Sequence, residues 1–187
     1  MNGWKRSGRG ARVRLVATLD RQEAAVLRGL VGEVRRMLGS RVDEHPTDEL
    51  AELTGLQTGP STKPDDPVLA RLLPDFATND AELSGALRSL HEPELIAAKD
   101  GAATVVLETL PTAGGRVELS PEQADAWLSA LNDVRLALGT ALEVSEDMPE
   151  ELPPDDPRGP HLGVYHWLTY VQDTLVQALA GPEPAAM

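Results

Sequence analysis

The side chains able to do chemistry are few, and their spacing suits none of the common reaction centres. The chain has four histidines, His45, His91, His161 and His166. Zinc held on one helix face wants a gap of three or four residues, as in the HExxH pattern. His161 and His166 are five apart, and His161 falls ahead of the helix expected there. No metal site is predicted, and His166, beside Trp167, reads as a partly buried or surface histidine. Asp147, Glu150, Glu151, Asp155 and Asp156 crowd into a proline-rich stretch with nothing to hold a catalytic geometry, so a solvated acidic loop fits better than a loose cation site. No Ser or Thr is set beside a His or within an elbow motif, and neither GxGxxG nor a Walker sequence occurs. There is no cysteine. That excludes disulfides, thiolate catalysis, zinc–cysteine sites and thiol redox sensing for this chain. The expectation is a non-enzymatic protein with no cofactor.

The remaining chemistry is charge. The net charge is −13, but residues 1–41 carry ten Lys/Arg against three acids, or +7, and the rest of the chain carries −20. Three roles stay open for the cations Lys5, Arg6, Arg9, Arg12, Arg14, Arg21, Arg28 and Arg35. A basic head can read a phosphate backbone, it can dock on an acidic patch of another protein, or it can pack against the acidic body of its own chain. The whole-chain charge argues against non-specific nucleic-acid binding.

These cations sit on recognisable elements. Arg12 to Thr18 alternates in steps of two, with Val13, Leu15 and Ala17 on one side, which predicts a half-buried strand. Trp4-Lys5-Arg6 can pair with it across Ser7-Gly8-Arg9-Gly10, a flexible turn that would make a basic hairpin tip. Asp20 and Glu23 form a capping box for a helix with Leu27, Leu30, Val31, Val34, Met37 and Leu38 on one face, ending at Gly39. Arg21, Arg28 and Arg35, seven apart, form a stripe that reads as a solvated face or as a docking face for an acidic partner.

The centre of the fold is Ser120 to Leu142. Ser120, Pro121 and Gln123 make a strong helix start. Ala124, Trp127, Leu128, Leu131, Val134, Leu138, Ala141 and Leu142 recur in steps of three and four, the period of one helical face. Leu136 lies off that stripe, so a second side should also be covered. Asn132 and Arg135 lie at the margin of the apolar face, as a buried polar pair or as lining of a pocket.

Elsewhere, Thr47 can cap a short helix through Leu53. Asp66-Pro67 opens a helix that stops at Pro74. Asn79 and Glu82 open another with Leu83, Ala86, Leu87 and Leu90 inward, and Pro93 either kinks it or starts a new helix that runs to about Leu110. Arg116 to Leu119 is a short strand able to pair with residues 12–18. The last helix runs from about His161 to Ala180, ended by Gly181-Pro182, and its Trp167 should share one core with Trp127. Residues 40–66 and 143–160 read as flexible loops and 182–187 as a disordered tail. A chain of 187 residues with 41% apolar and 3% aromatic content is about one domain whose core must be filled by Leu, Val and Ala. The predicted fold is mainly α: a single-domain bundle of six or seven helices with a small antiparallel β element, the N-terminal hairpin plus the strand near 116–119. No run of about 18 apolar residues occurs, and the basic N-terminus lacks the apolar core of a signal peptide, so a cytoplasmic location without a membrane span follows. Pairing of the Leu-rich helices would give a homodimer.

Three blocks then carry a resemblance. DDPVLARLLPD (Asp65–Asp75), WLSALNDVRLALGTAL (Trp127–Leu142) and YHWLTYVQDTLVQAL (Tyr165–Leu179) resemble an actinobacterial family of formerly unknown function, the AosR-type oxidative-stress transcriptional regulators. The likeness covers nearly the whole chain, including the opening Trp-basic segment and the helix after Asp20. It implies an actinobacterial, cytoplasmic regulator that acts with the transcription machinery through a sigma factor or RNA polymerase, and the basic head adds the possibility of DNA contact. The acidic body and the lack of a helix-turn-helix fit the alternative, a protein–protein adaptor or scaffold without DNA binding, for instance one linked to regulated proteolysis. Redox-responsive members use paired cysteines, so their sensing step does not carry over to this chain. No functional motif transfers residue by residue. Trp127, Leu131, Leu138, Trp167 and Leu168 in these blocks read as core.

Overall fold

The computed structural model describes residues 1–43, 59–145, 147–148, 152–153 and 155–181. Among these lie three strands, β1 (Asn2–Ser7), β2 (Arg14–Leu19) and β3 (Gly115–Leu119). There are five α-helices: α1 (Arg21–Asp43), α2 (Pro67–Leu72), α3 (Ala81–Thr109), α4 (Pro121–Ala141) and α5 (Gly159–Ala180). The predicted mainly helical fold with a small antiparallel sheet is the one observed. The short helix predicted from Thr47, His45 and the tail 182–187 lie outside the described residues.

The sheet has order β1-β2-β3, antiparallel throughout. Lys5 faces Val16 and Ser7 faces Arg14 across the hairpin. On the other side Leu15 faces Leu119 and Thr18 faces Arg116, the pairing that the RVEL segment predicted. Period-two alternation sends Trp4, Leu15, Ala17, Leu19, Val117 and Leu119 to the covered face, where all are buried. Helix α5 packs on β1 and β2 there, and α4 on β2 and β3. Lys5, Arg14, Val16, Thr18, Arg116 and Glu118 take the alternate positions on the open face.

Helix α4 packs against all four other helices. Its start is a full capping box: the Ser120 hydroxyl accepts from Gln123 N–H, and the Gln123 side chain accepts from Ser120 N–H. Asp20 and Glu23 cap α1 in the same reciprocal way. Asp66 caps α2 by accepting from Val68 and Leu69 N–H, ahead of Pro67. Trp127 is fully buried and stacks edge-on against Trp4, with ring centroids 5.3 Å apart. Its Nε1–H donates to Thr109 Oγ1 at 2.8 Å. Trp127 therefore shares the core with the strand tryptophan, and Trp167 lies partly buried at the edge of that cluster.

Local expectations give way along α1 and α3. Helix α1 does not stop at Gly39 but continues to Asp43, because Arg41 is buried and its guanidinium is held by Glu92 on α3 and the Thr62 carbonyl. Helix α3 runs unbroken through Pro93, and its cap is Asp80, which accepts from Leu83 N–H, in place of Asn79. Its first half turns Leu83 and Leu90 outward, 49% and 56% exposed, and buries Ser84, Arg88, Glu92 and Ile96 instead. The reason is a polar cluster. Arg88 donates to Glu92, to Asp75 and to the Leu73 and Pro74 carbonyls, and this satisfies a charge that could not otherwise be buried. The covered row of α3 follows that cluster and not the leucines.

Candidate functional site

The cations of the N-terminal head divide into two groups. Arg6 points along the covered side of β1 and donates to the Leu179 carbonyl at 2.8 Å and the Ala178 carbonyl at 3.5 Å, at the C-terminal end of α5. A cation is favourable there because the last carbonyls of a helix lack intrahelical partners. Arg28 does the same for α3, reaching the Leu110 carbonyl at 2.6 Å and Leu107 at 3.3 Å. Arg35 forms a two-pronged pair with Asp100 at 2.5 and 3.1 Å. Two of the three members of the stripe Arg21, Arg28, Arg35 thus fasten α1 to α3, Arg35 through a pair that stays exposed. Arg21 is exposed at the start of α1.

The second group gathers on the hairpin. Arg9 and Arg12 are exposed at its tip, and Lys5 is exposed on the open sheet face. None of these three has a side-chain hydrogen bond or ion pair among the described residues. Arg14 is half-buried and donates to the Val13 carbonyl at 2.7 Å. Hydrogen bonds from the Glu122 backbone N–H and from Ser120 hold the nearby Glu122 carboxyl below the usual carboxylate range, and the Arg14 charge adds a smaller pull in the same direction. Lys5, Thr18 and Arg116 line a shallow groove of about 300 Å³ across the three strands. The tip is shaped, not slack. The segment Gly10–Arg12 forms a 3-10 turn, with Val13 N–H donating to the Gly10 carbonyl at 3.1 Å. Gly8 has φ +79°, and a Cβ there would sit 2.1 Å from the Arg12 carbonyl oxygen, so only glycine fits.

Asn132 and Arg135 part company. Asn132 is exposed and forms no buried pair with Arg135. The buried polar position on α4 is Asp133, 5% exposed, which accepts from Lys99 Nζ of α3 at 2.6 Å. Burial pushes the Asp133 carboxyl above its ordinary value, and the Lys99 bond pulls in the opposite direction. Sequence reasoning missed Asp133, although it stands three residues from both Ala130 and Leu136 on the second covered side. Arg135 does line a cleft of about 470 Å³, between the end of α4, α2 and the start of α5. Its Nε–H donates to Thr169 Oγ1 at 3.1 Å and its Nη1 to Gln172 Oε1 at 2.7 Å.

The buried ion cluster was also missed. Glu92, fully buried, accepts from Arg41 at 2.9 Å and from Arg88 at 2.6 Å, and Arg88 continues to Asp75 at 2.8 Å. Hydrogen bonds from Lys63 and then Arg88 hold the Asp75 carboxyl below its ordinary range. His91, His161 and His166 are exposed. Among the described residues, no three His, Asp or Glu side chains converge as metal ligands. No helix among them is long and apolar enough to cross a membrane.

The class that fold and surface define is a mainly helical domain with a hairpin that is built into its core by one face and exposes a basic tip. Residues 1–179 match the family model described as a domain of unknown function, DUF2017, and the chain belongs to that family. It is 44% identical over 191 residues to proteins of Mycobacterium bovis and Mycobacterium tuberculosis, each named oxidative stress regulator AosR. Those matches cover 95% of this chain and 88% of each relative. No solved structure matches the chain.

Proposed function

We propose that this chain is a non-enzymatic regulatory protein of the cytoplasm that acts by docking on a protein of the transcription machinery through its basic hairpin. The observation that carries the reading is the sorting of the head cations. Arg6, Arg28 and Arg35 serve the chain's own packing, whereas Lys5, Arg9 and Arg12 stand exposed without ion-pair partners among the described residues. The names of the mycobacterial relatives support a regulatory role in the oxidative stress response. A chain of net charge −13 repels a polyanion outside any local contact, which favours an acidic patch on a protein over a DNA backbone. The family likeness directs the search to a sigma factor or RNA polymerase.

The test is capture of partners from an oxidatively stressed actinobacterial lysate with the tagged chain and with a Lys5→Gln/Arg9→Gln/Arg12→Gln variant. Recovery of RNA polymerase or a sigma subunit by the parent, reduced with the variant, is the expected result. Recovery of neither under any stress sinks the reading and leaves the adaptor alternative. Fluorescence anisotropy with labelled promoter and scrambled duplexes decides the role of DNA: promoter-selective binding that survives near-physiological salt would make the hairpin a DNA reader.

A further inference from the structure

The acidic body, residues 42–187, contains seven Lys/Arg. Five of them are ion-paired: Lys63 and Arg88 with Asp75, Lys99 with Asp133, Arg116 with Glu118 and Arg158 with Asp156. Arg71 and Arg135 are not paired with any carboxylate among the described residues, and these two line the same cleft. In a body so rich in acids, two cations that line one cleft without an ion pair among the described residues call for an explanation.

Arg135 is also held in place. Thr169 and Gln172, both neutral, fix two of its nitrogens, and the Thr169 hydroxyl is itself fixed by donating to the Tyr165 carbonyl at 3.0 Å. The guanidinium lies over the Tyr165 ring, 5.4 Å from its centroid. That ring can lie against α4 because residue 139 is glycine: a Cβ there would stand 3.2 Å from Tyr165 Cε2. With Nε and Nη1 so held and the plane stacked on the ring, the Nη2 corner of the guanidinium is left to donate to a carboxylate or phosphate. Leu136 and Val144 supply apolar lining. The cleft's volume, about 470 Å³, is in the range of small-molecule sites. Glu143 stands at the rim without an ion pair to either arginine, so the charged side chains lining the cleft sum to +1. The carbonyl end of α4 nearby opposes an anion, and the paired guanidinium groups must outweigh it.

We propose that the Arg71–Arg135 cleft is a binding site for a small organic anion, a carboxylate or phosphate carried on an aromatic or apolar body. The anionic group bridges the two guanidinium groups and the body lies against Tyr165 and Leu136.

The experiment follows the arginine Nε–H and tyrosine ring signals by NMR during titration with phenyl phosphate, benzoate and inorganic phosphate at constant ionic strength. Saturating shifts confined to Arg71, Arg135 and Tyr165 are expected, with phenyl phosphate or benzoate binding more tightly than inorganic phosphate. Whichever aromatic anion binds more tightly assigns the head group. Arg71 is exposed on α2, so Arg71→Gln leaves the fold intact. It should weaken binding by about tenfold or more, the worth of one charge-assisted hydrogen bond. Shifts that never saturate, shifts shared equally by the exposed Arg9 and Arg12, or unchanged affinity in Arg71→Gln would each overturn the proposal.

Discussion

Glu92→Gln is the sharpest test of how the helical layer is fastened. The substitution keeps the size of the side chain and removes one charge. In the native chain that carboxylate is fully buried between two guanidinium groups, Arg41, whose side chain is 5% exposed, and Arg88, 1% exposed. Glutamine still offers one acceptor oxygen, but its NH₂ turns a donor toward an arginine that has only donors. Two like charges are then left buried with their shared counter-ion gone. Removing one partner of a buried ion pair costs about 3–5 kcal/mol. The lower end applies here, because Arg88 retains Asp75 and two backbone carbonyls. About 3 kcal/mol in a chain of this size lowers Tm by roughly 6–12 °C. Urea unfolding followed by tryptophan fluorescence, with Trp4 and Trp127 reporting on the core, measures it directly. The slope m should stay constant, so that the shift in midpoint reads as stability. Arg35→Gln, which breaks the exposed pair with Asp100, is the control and should move the midpoint far less. A Glu92→Gln midpoint no lower than that of the control would refute the reasoning: the cluster would then be solvated and α3 would be held by its apolar half alone.

Asp133→Asn probes a charge that burial opposes. Because the folded carboxyl has a raised pKa, its stabilising contribution is complete below the ordinary aspartate value and is lost as pH rises through the folded one. The stability of the native chain minus that of the variant should therefore grow as pH falls from neutral to about 4, the reference value for aspartate. A difference flat with pH, in urea unfolding repeated across that range, would contradict it. Ser120→Ala removes the hydroxyl half of the capping box that starts the central helix, and should cost about 1 kcal/mol in the same assay. Gly8→Ala should displace the hairpin tip, since its Cβ would meet the Arg12 carbonyl. Amide shifts over residues 9–13 should move while helical circular dichroism stays unchanged, and unmoved shifts would mean that the tip is slack after all.

What the sequence makes legible depends on the range of the interaction. Ser120 with Gln123, Asp20 with Glu23 and Asp66 ahead of Pro67 are read correctly because a cap is decided within four residues. Strand β2 is read correctly because its alternation is local, and β3 because one apolar-alternating segment was available to pair with it. Apart from the cap of α3, where Asp80 takes the place of its neighbour Asn79, the errors concern where a charged or boundary residue finds a distant partner. Arg88 and Glu92 have the spacing of an ordinary solvated pair on a helix surface. Nothing within their own helix tells that Arg41, 51 residues from Glu92, completes a buried cluster. The row Ser84, Arg88, Glu92, Ile96 and the row containing Leu83 and Leu90 are both consistent with a helical period, and hydrophobicity alone selects the wrong one. Asp133 escapes notice for the same reason, because Lys99 lies 34 residues away.

The cations show why pairing carries more than position. Arg6, Arg9 and Arg12 lie within one short basic segment and look alike in the sequence. In the fold, Arg6 reaches carbonyls more than 170 residues away and becomes part of the scaffold, whereas Arg9 and Arg12 stay at the exposed tip. Arg71 and Arg135, in turn, are inconspicuous beside the other basic residues of the acidic body until those others are found paired. In a chain with 30 acids and 17 Lys/Arg, a positive side chain is expected to find a carboxylate, and exposed pairs add little to stability either way. A cation that finds none is more informative than one that does. Among the described residues that criterion picks out the exposed head cations Lys5, Arg9, Arg12 and Arg21 and the cleft pair Arg71 and Arg135, and the proposed contacts rest on the hairpin and the cleft for that reason.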